Sequence, residues 1–283
     1  MIPVPKLAFA LAFAIAPGAA PAQQNPPIPA DSVVISPSYA YHADLVLASP
    51  MIVDATIRSS TRLKGPDAVG VAAGNARLYV EADVLALIRG SAALSPRIAY
   101  VLDVPVDSRG RLPKLRKLRV ILFARPVPGN AALIQLVRPD AQRDWTPAAD
   151  ALTRRITQET LSPDAPPQVT GIGNAFHVGG DLPGSGETQI FLNTADGRPV
   201  SLGIKRTPGE RPRWSVALSE LVGDSALPPA RDTLLWYRLA CGLPPALPDA
   251  SLASLGEADA AIAREDYRLV LRSLGPCDRN AAG

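Results

Sequence analysis

Chemistry in this chain has to be built from few groups, because it holds two histidines and two cysteines in 283 residues. His177 has the better setting of the two histidines: it lies in a glycine-rich stretch, residues 171–186, with Asp181 and Glu187 nearby. An imidazole with two carboxylates can hold a metal ion or serve as the general base of a hydrolase. The spacing matches no ligand pattern such as HExxH, and Phe176 and Val178 flank His177 as strand neighbours would. A structural histidine is the simpler reading, and a hydrolase built on His177, Asp181 and Glu187 is the alternative. His42, beside Tyr39 and Tyr41, offers less.

Asp103 and Asp107 would share one strand face, and paired carboxylates can cleave glycosides. Aspartates at a strand end more simply start a turn. Gly171 and Gly173 lack the third glycine and the strand–turn–helix setting of a dinucleotide loop. Ser185 between two glycines reads as loop, and the sequence has no Walker loop, GxSxG elbow, SxxK or CxxC. These residues point to no cofactor and no metal site.

The densest charge feature is Arg109, Arg111, Lys114, Arg116, Lys117 and Arg119, six cations in eleven residues without a carboxylate. Lys205, Arg206, Arg211 and Arg213 form a second basic stretch. Brought to one edge, the two would make a surface for a polyanion. Basic runs are ordinarily solvated faces. The chain also takes 24 of its 29 cations as arginine at a net charge of only +3, so arginine frequency by itself signals nothing. No aromatic residue interleaves either stretch, which argues against stacked bases and against nucleic acid as partner.

The N-terminus supplies an address. Lys6, an apolar run over residues 7–16, and Ala20-Pro21-Ala22 make the three parts of a signal peptide covering residues 1–22, with cleavage before Gln23. The apolar run is too short for a bilayer, which needs about 20 residues, so no transmembrane segment is expected in the mature chain. Residues 23–37 read as a proline-rich lead-in. The expected location is periplasmic or secreted, where lipopolysaccharide, anionic lipid or cell-wall polymer is the anionic partner at hand. Cys241 and Cys277 can form a disulfide there.

The elements that position these groups begin with residues 97–125, two apolar runs around a polar loop. Ile98, Tyr100, Leu102, Val104 and Val106 alternate as in a half-buried strand. Residues 118–124 are apolar except Arg119, which suits a strand covered on both faces. Asp107, Ser108, Gly110 and Pro113 between them are turn formers, so the stretch predicts a β-hairpin. Before it, residues 45–57 predict a strand interrupted at Pro50, and residues 59–75 a loop. Residues 78–88 alternate as a strand, with a helix over 81–88 as the competing reading. A short strand over 131–138 follows.

Five strands and a helix can close into a small barrel. The segments ADLVLASPMIVDATI, VEADVLALIRG and LRKLRVILFARP, within residues 43–138, resemble the OB-type barrel of netrin-like and tissue-inhibitor-like modules. The resemblance implies the fold. It implies no inhibitor activity, since the N-terminal cysteines of the inhibitory members are missing here.

Further on, Thr146 and Pro147 open a helix that Ser162-Pro163 closes. A strand over 169–178 is expected, then a three-stranded meander over 189–193, 200–205 and 213–218, turned at Asp196-Gly197 and Pro208-Gly209. Ile190, Leu192, Val200, Leu202, Ile204, Trp214, Val216 and Leu218 would line one face. Residues 232–241 and 257–274 predict two helices. An antiparallel pair of them would hold Cys277 away from Cys241, so the chain must fold back for the disulfide to form.

The expected fold is therefore α+β: an OB-like barrel over 38–142, then a helix, an antiparallel meander and a C-terminal helical pair over 143–283. The expected function is that of a non-catalytic exported accessory or binding protein. Its partner is an anionic envelope component held by residues 109–119, or another periplasmic protein.

Overall fold

Ser38 caps the first helix by accepting a hydrogen bond from the Tyr41 backbone N–H, and α1 runs over Tyr39–Ala48. The computed structural model describes residues 38–279 apart from 222, 224 and 225; the expected signal peptide and lead-in lie outside the described residues. The strand expected from residue 45 starts only at Met51, because Ser49 and Pro50 first end a helix. That helix has no amphipathic period to read: Tyr39, Tyr41, His42, Leu45 and Val46 are all buried, on every side of it.

Six strands follow: β1 (Met51–Arg62), β2 (Asn75–Arg89), β3 (Arg97–Pro105), β4 (Arg119–Val127), β5 (Asn130–Leu136) and β6 (Gln142–Asp144). β1 pairs antiparallel with β2 on one side and with β4 on the other. β2 pairs with β3, β3 meets β5 in parallel at Ala99 and Leu133, and β5 pairs with β4. The order β1-β2-β3-β5-β4 thus returns to β1 and closes a five-stranded mixed barrel, compatible with an OB-like barrel. β6 adds to β4 outside the ring.

Residues 97–125 are not a hairpin. β3 and β4 are not neighbours, and residues 106–118 cross the end of the barrel instead of turning back. The two-sided apolar run is real, however. Val120, Ile121, Leu122, Phe123 and Ala124 are all fully buried, because β4 lies between β1 and the β5–β6 side and is covered on both faces. The tight turn belongs to β4 and β5 instead, where Gly129 at φ 74° takes the left-handed position of a Pro-Gly turn. The loop expected from residue 59 starts later, since β1 extends to Arg62 before a 3-10 turn over Gly65–Ala68.

Thr146 caps α2 (Pro147–Leu161) as its sequence predicts, accepting from the Ala149 N–H. The next four strands are β7 (Val169–Gly179), β8 (Gly186–Thr194), β9 (Val200–Arg206) and β10 (Arg213–Ala217). They form one antiparallel sheet in the order β10-β9-β8-β7, so the separate strand joins the meander as its fourth member. The predicted apolar face is buried from Ile190 to Val216; Leu218 falls past the end of β10 and is exposed.

Two further helices complete the chain, α3 (Leu234–Ala240) and α4 (Glu257–Leu274). Ala260, Ala263, Tyr267, Val270 and Leu274 recur every three or four residues along the buried stripe of α4. The indole N–H of Trp214 in β10 donates to Ser273 Oγ at 2.8 Å, tying α4 to the sheet. Residues 242–256 carry the chain back, so that Trp236 of α3 donates to the Leu274 carbonyl at the end of α4. Cys277 thereby folds back to Cys241, and the two form a disulfide with their Cα atoms 5.1 Å apart. The Glu159 carboxylate of α2 accepts from both Tyr39 Oη of α1 and the Leu234 N–H, binding the three short helices together. Among the described residues no helix is long and apolar enough to cross a membrane.

Candidate functional site

Strand direction decides where the basic residues gather. β1 and β3 run one way and β2 and β4 the other, so the connections over 63–74 and 106–118 emerge at the same end of the barrel. Val106 N–H donates to the Gly74 carbonyl and Lys117 N–H to the Ile57 carbonyl, which fixes both connections to the barrel. Arg62 and Lys64 from the first join Arg109, Arg111, Lys114, Arg116 and Lys117 from the second, all seven exposed. Within the two connections the carboxylates are Asp67 and Asp107, and Glu81 of β2, which accepts from Ser59, lines a surface pocket with Arg116.

Asp107 is already engaged. It accepts from the backbone N–H groups of Arg109 and Arg111 and pairs with the Arg111 guanidinium at 2.6 Å. Those bonds, the Arg111 N–H foremost, hold its carboxyl below the usual range. The side chains of Arg109, Lys114, Arg116 and Lys117 have no ion pair or hydrogen bond among the described residues.

Arg119, counted with this group in the sequence, does different work. Its guanidinium grips Asp54 with Nε to Oδ1 at 3.0 Å and Nη2 to Oδ2 at 2.6 Å, and lies 3.7 Å over the Trp145 ring. Asp54 is 1% exposed, so Arg119 neutralises a buried carboxylate of β1. The second basic stretch thins in the same way. Arg206 pairs with the buried Asp266 and Arg213 with Glu210, leaving Lys205 and Arg211 on the four-stranded sheet.

Beside the basic end, β2, β3, β5 and the end of β4 form an open groove of about 530 Å³. Tyr79, Val101 and Leu133 give it an apolar floor, and Arg77, Arg125 and Arg138 line it as well. Arg77 joins groove and barrel end: it pairs bidentately with Asp103 and donates to the Val69 carbonyl in the 63–74 connection. Asp103 is thus spoken for by Arg77, and Asp107 lies beyond the end of β3, so the two do not act as a carboxylate pair.

His177 sits in β7, cross-strand from Thr188, and is 9% exposed. Its Nδ1 lies 2.9 Å from Thr188 Oγ1, and that hydroxyl donates to Asp266 Oδ2 at 2.5 Å. Arg206 closes the chain from Nε and Nη2 onto Asp266 Oδ1, at 2.8 and 2.6 Å. Because the Thr188 hydroxyl gives its one hydrogen to Asp266, it can only accept from His177, which places the ring N–H of that contact on Nδ1. Gly186 leaves the ring its space: a Cβ there would stand 2.9 Å from His177 Cε1. Asp181 and Glu187 are exposed and do not touch this chain of bonds; Glu187 follows strand alternation to the face opposite Thr188. Among the described residues no group of histidine, cysteine and carboxylate side chains could hold a metal ion.

Sequence reading missed three things. Arg62 and Lys64 lie some 45 residues from the basic run and only topology brings them to it. Asp266, the carboxylate that His177 reaches through Thr188, is 89 positions away on a helix. The groove is formed by four strands whose outward residues look like ordinary alternation. Comparison of the chain with protein-family models and with curated proteins finds no match.

Proposed function

We propose that this is a non-catalytic, exported binding protein that holds an anionic envelope component at the barrel end formed by residues 62–74 and 106–118. One observation carries the reading: seven exposed cations come from two connections distant in sequence, which hold two carboxylates between them, and only Arg111 of the seven is paired, with Asp107. Such a cluster attracts phosphate- or carboxylate-bearing polymers and headgroups over the distance that salt leaves unscreened, about 8–10 Å. The adjoining groove supports it. In OB-type barrels the β2–β3 face and the β1–β2 and β4–β5 connections take up chain-like ligands. Here the β4–β5 connection is only a Pro-Gly turn, which leaves the β1–β2 side to make the contacts. The disulfide fits an oxidising compartment. The hydrolase alternative at His177, Asp181 and Glu187 has less to stand on, since His177 is buried and bonded to Thr188 while both acids are exposed and share none of its hydrogen bonds.

Retention on heparin tests the proposal. Replacing Arg109, Lys114, Arg116 and Lys117 with serine should weaken binding at moderate salt by well over tenfold, since each cation near an anionic surface contributes about fivefold. The matched variant Lys205→Ser with Arg211→Ser should bind as the parent does. Equal behaviour of the two variants would remove the barrel end from consideration.

A further inference from the structure

The connection that brings Arg62 and Lys64 to the basic end has an unusual tip. Val69-Gly70-Val71-Ala72-Ala73-Gly74 is six residues without a polar side chain. Val69 is 74% exposed, Ala72 and Ala73 are exposed as well, and Val71 is half-buried. Single exposed apolar residues are ordinary. A run of them within one loop, with cations on the same loop and on the loop beside it, is a different matter.

The tip is fixed in place by bonds through its backbone carbonyls. Arg77 Nη1 donates to the Val69 carbonyl, Asn75 N–H to the Ala72 carbonyl and Val106 N–H to the Gly74 carbonyl. No side chain of the tip is needed to keep this shape, because Gly70 and Gly74 take the left-handed positions at φ 79° and 81°. The loop thus presents valine and alanine methyls on a fixed frame. Beside them stand Arg62, Lys64, Arg109, Lys114, Arg116 and Lys117, cations on long stems.

We propose that this tip enters the interfacial layer of an anionic bilayer, with the cations around it at headgroup level, so that the component bound is a lipid surface. The inference rests on the anionic reading of the barrel end and narrows it to one partner. A soluble polyanion would satisfy the cations and leave the methyls in water. A protein partner would satisfy the methyls but has no reason to be as anionic as this rim demands. An anionic bilayer offers both, a layer of negative headgroups above an apolar boundary some 5–10 Å below. The two terms are separable, because charge attraction is screened by salt and methyl burial is not.

The test uses the exported form, residue 23 onward, with its disulfide intact. Vesicles of phosphatidylglycerol and phosphatidylcholine are compared with heparin. Val69→Asn combined with Val71→Asn should lower vesicle affinity at least tenfold, since losing one valine side chain from an apolar layer is already about tenfold and Val71 is half-buried before binding, and leave heparin retention unchanged. Val69→Trp should shift its emission to the blue on these vesicles and be quenched by lipids brominated along their chains. Vesicle affinity unchanged by the double substitution, or an indole at 69 untouched by brominated lipid, overturns insertion and leaves anion binding standing. Loss of vesicle and heparin binding in equal measure also overturns it, since the tip would then serve the rim and not the lipid. A parent chain retained by neither overturns both readings.

Discussion

Asp266→Asn is the substitution that best exposes how the C-terminal half is held. Asp266 is fully buried on α4, and its two oxygens serve three donors: Thr188 at 2.5 Å and two nitrogens of Arg206 at 2.8 and 2.6 Å. Asparagine keeps the volume, so what is lost is charge and bonding, without a cavity. Removing one partner of a buried pair costs about 3–5 kcal/mol. Arg206 is 21% exposed and keeps Glu265 at 3.2 Å as a fallback, which places the loss near the lower end, about 3 kcal/mol. For a body of this size that corresponds to roughly 6–12 °C in Tm. The substitution should also reverse the bonds. An amide N–H facing Thr188 makes the hydroxyl an acceptor there, free to donate to His177 Nδ1, so the imidazole proton moves to Nε2. Thermal unfolding reads the first effect, and nitrogen-15 chemical shifts of the labelled imidazole read the second. A variant as stable as the parent, or one with the proton still on Nδ1, would refute the reasoning.

Other consequences are equally open to measurement. His42 is buried and, among the described residues, has no hydrogen bond to either ring nitrogen; desolvation pushes its pKa down to about 4. The unfolded chain takes up that proton from about pH 6.5 downward, so stability should fall by about 3 kcal/mol between pH 6.5 and 4 and be flat above. His42→Leu should remove that slope in melts across the range. Reducing the Cys241–Cys277 disulfide should cost about 4 kcal/mol on the chain-entropy model, and alkylation without reduction should add no groups to either cysteine. Trp214→Ala should cost roughly 3–5 kcal/mol, whereas Trp214→Phe, which loses mainly the bond to Ser273, should cost about 1 kcal/mol; urea titration separates them. Arg119→Ser should lower the melting temperature and leave heparin retention close to that of the parent, the opposite of Arg116→Ser.

Legibility in the sequence followed how local each cause was. α2 was readable to the residue, because Thr146, Pro147 and Ser162 act on their immediate neighbours. The face of the C-terminal sheet was readable because Ile190, Leu202 and Trp214 alternate and the turns between their strands are short. β3 and β4 were individually readable, yet their pairing was not. A polar loop between two strands looks the same whether it turns back or crosses a barrel end, and only the partners β2, β5 and β1 decide it. α1 was misread because a helix buried all round has no period. Among the site residues, the basic run was visible, but the split between Arg119 and its neighbours was not. Asp54, which claims Arg119, is 65 positions earlier.

The lysines offer the most direct measurement of the central claim. Four fall among the described residues, and three of them, Lys64, Lys114 and Lys117, lie at the barrel end while Lys205 lies on the other sheet. Acetylation of the folded protein with and without heparin, followed residue by residue by mass spectrometry, compares the two places in one sample. Binding at the barrel end predicts that Lys64, Lys114 and Lys117 are protected together while Lys205 reacts as before. Protection of Lys205 with the other three left reactive would contradict it.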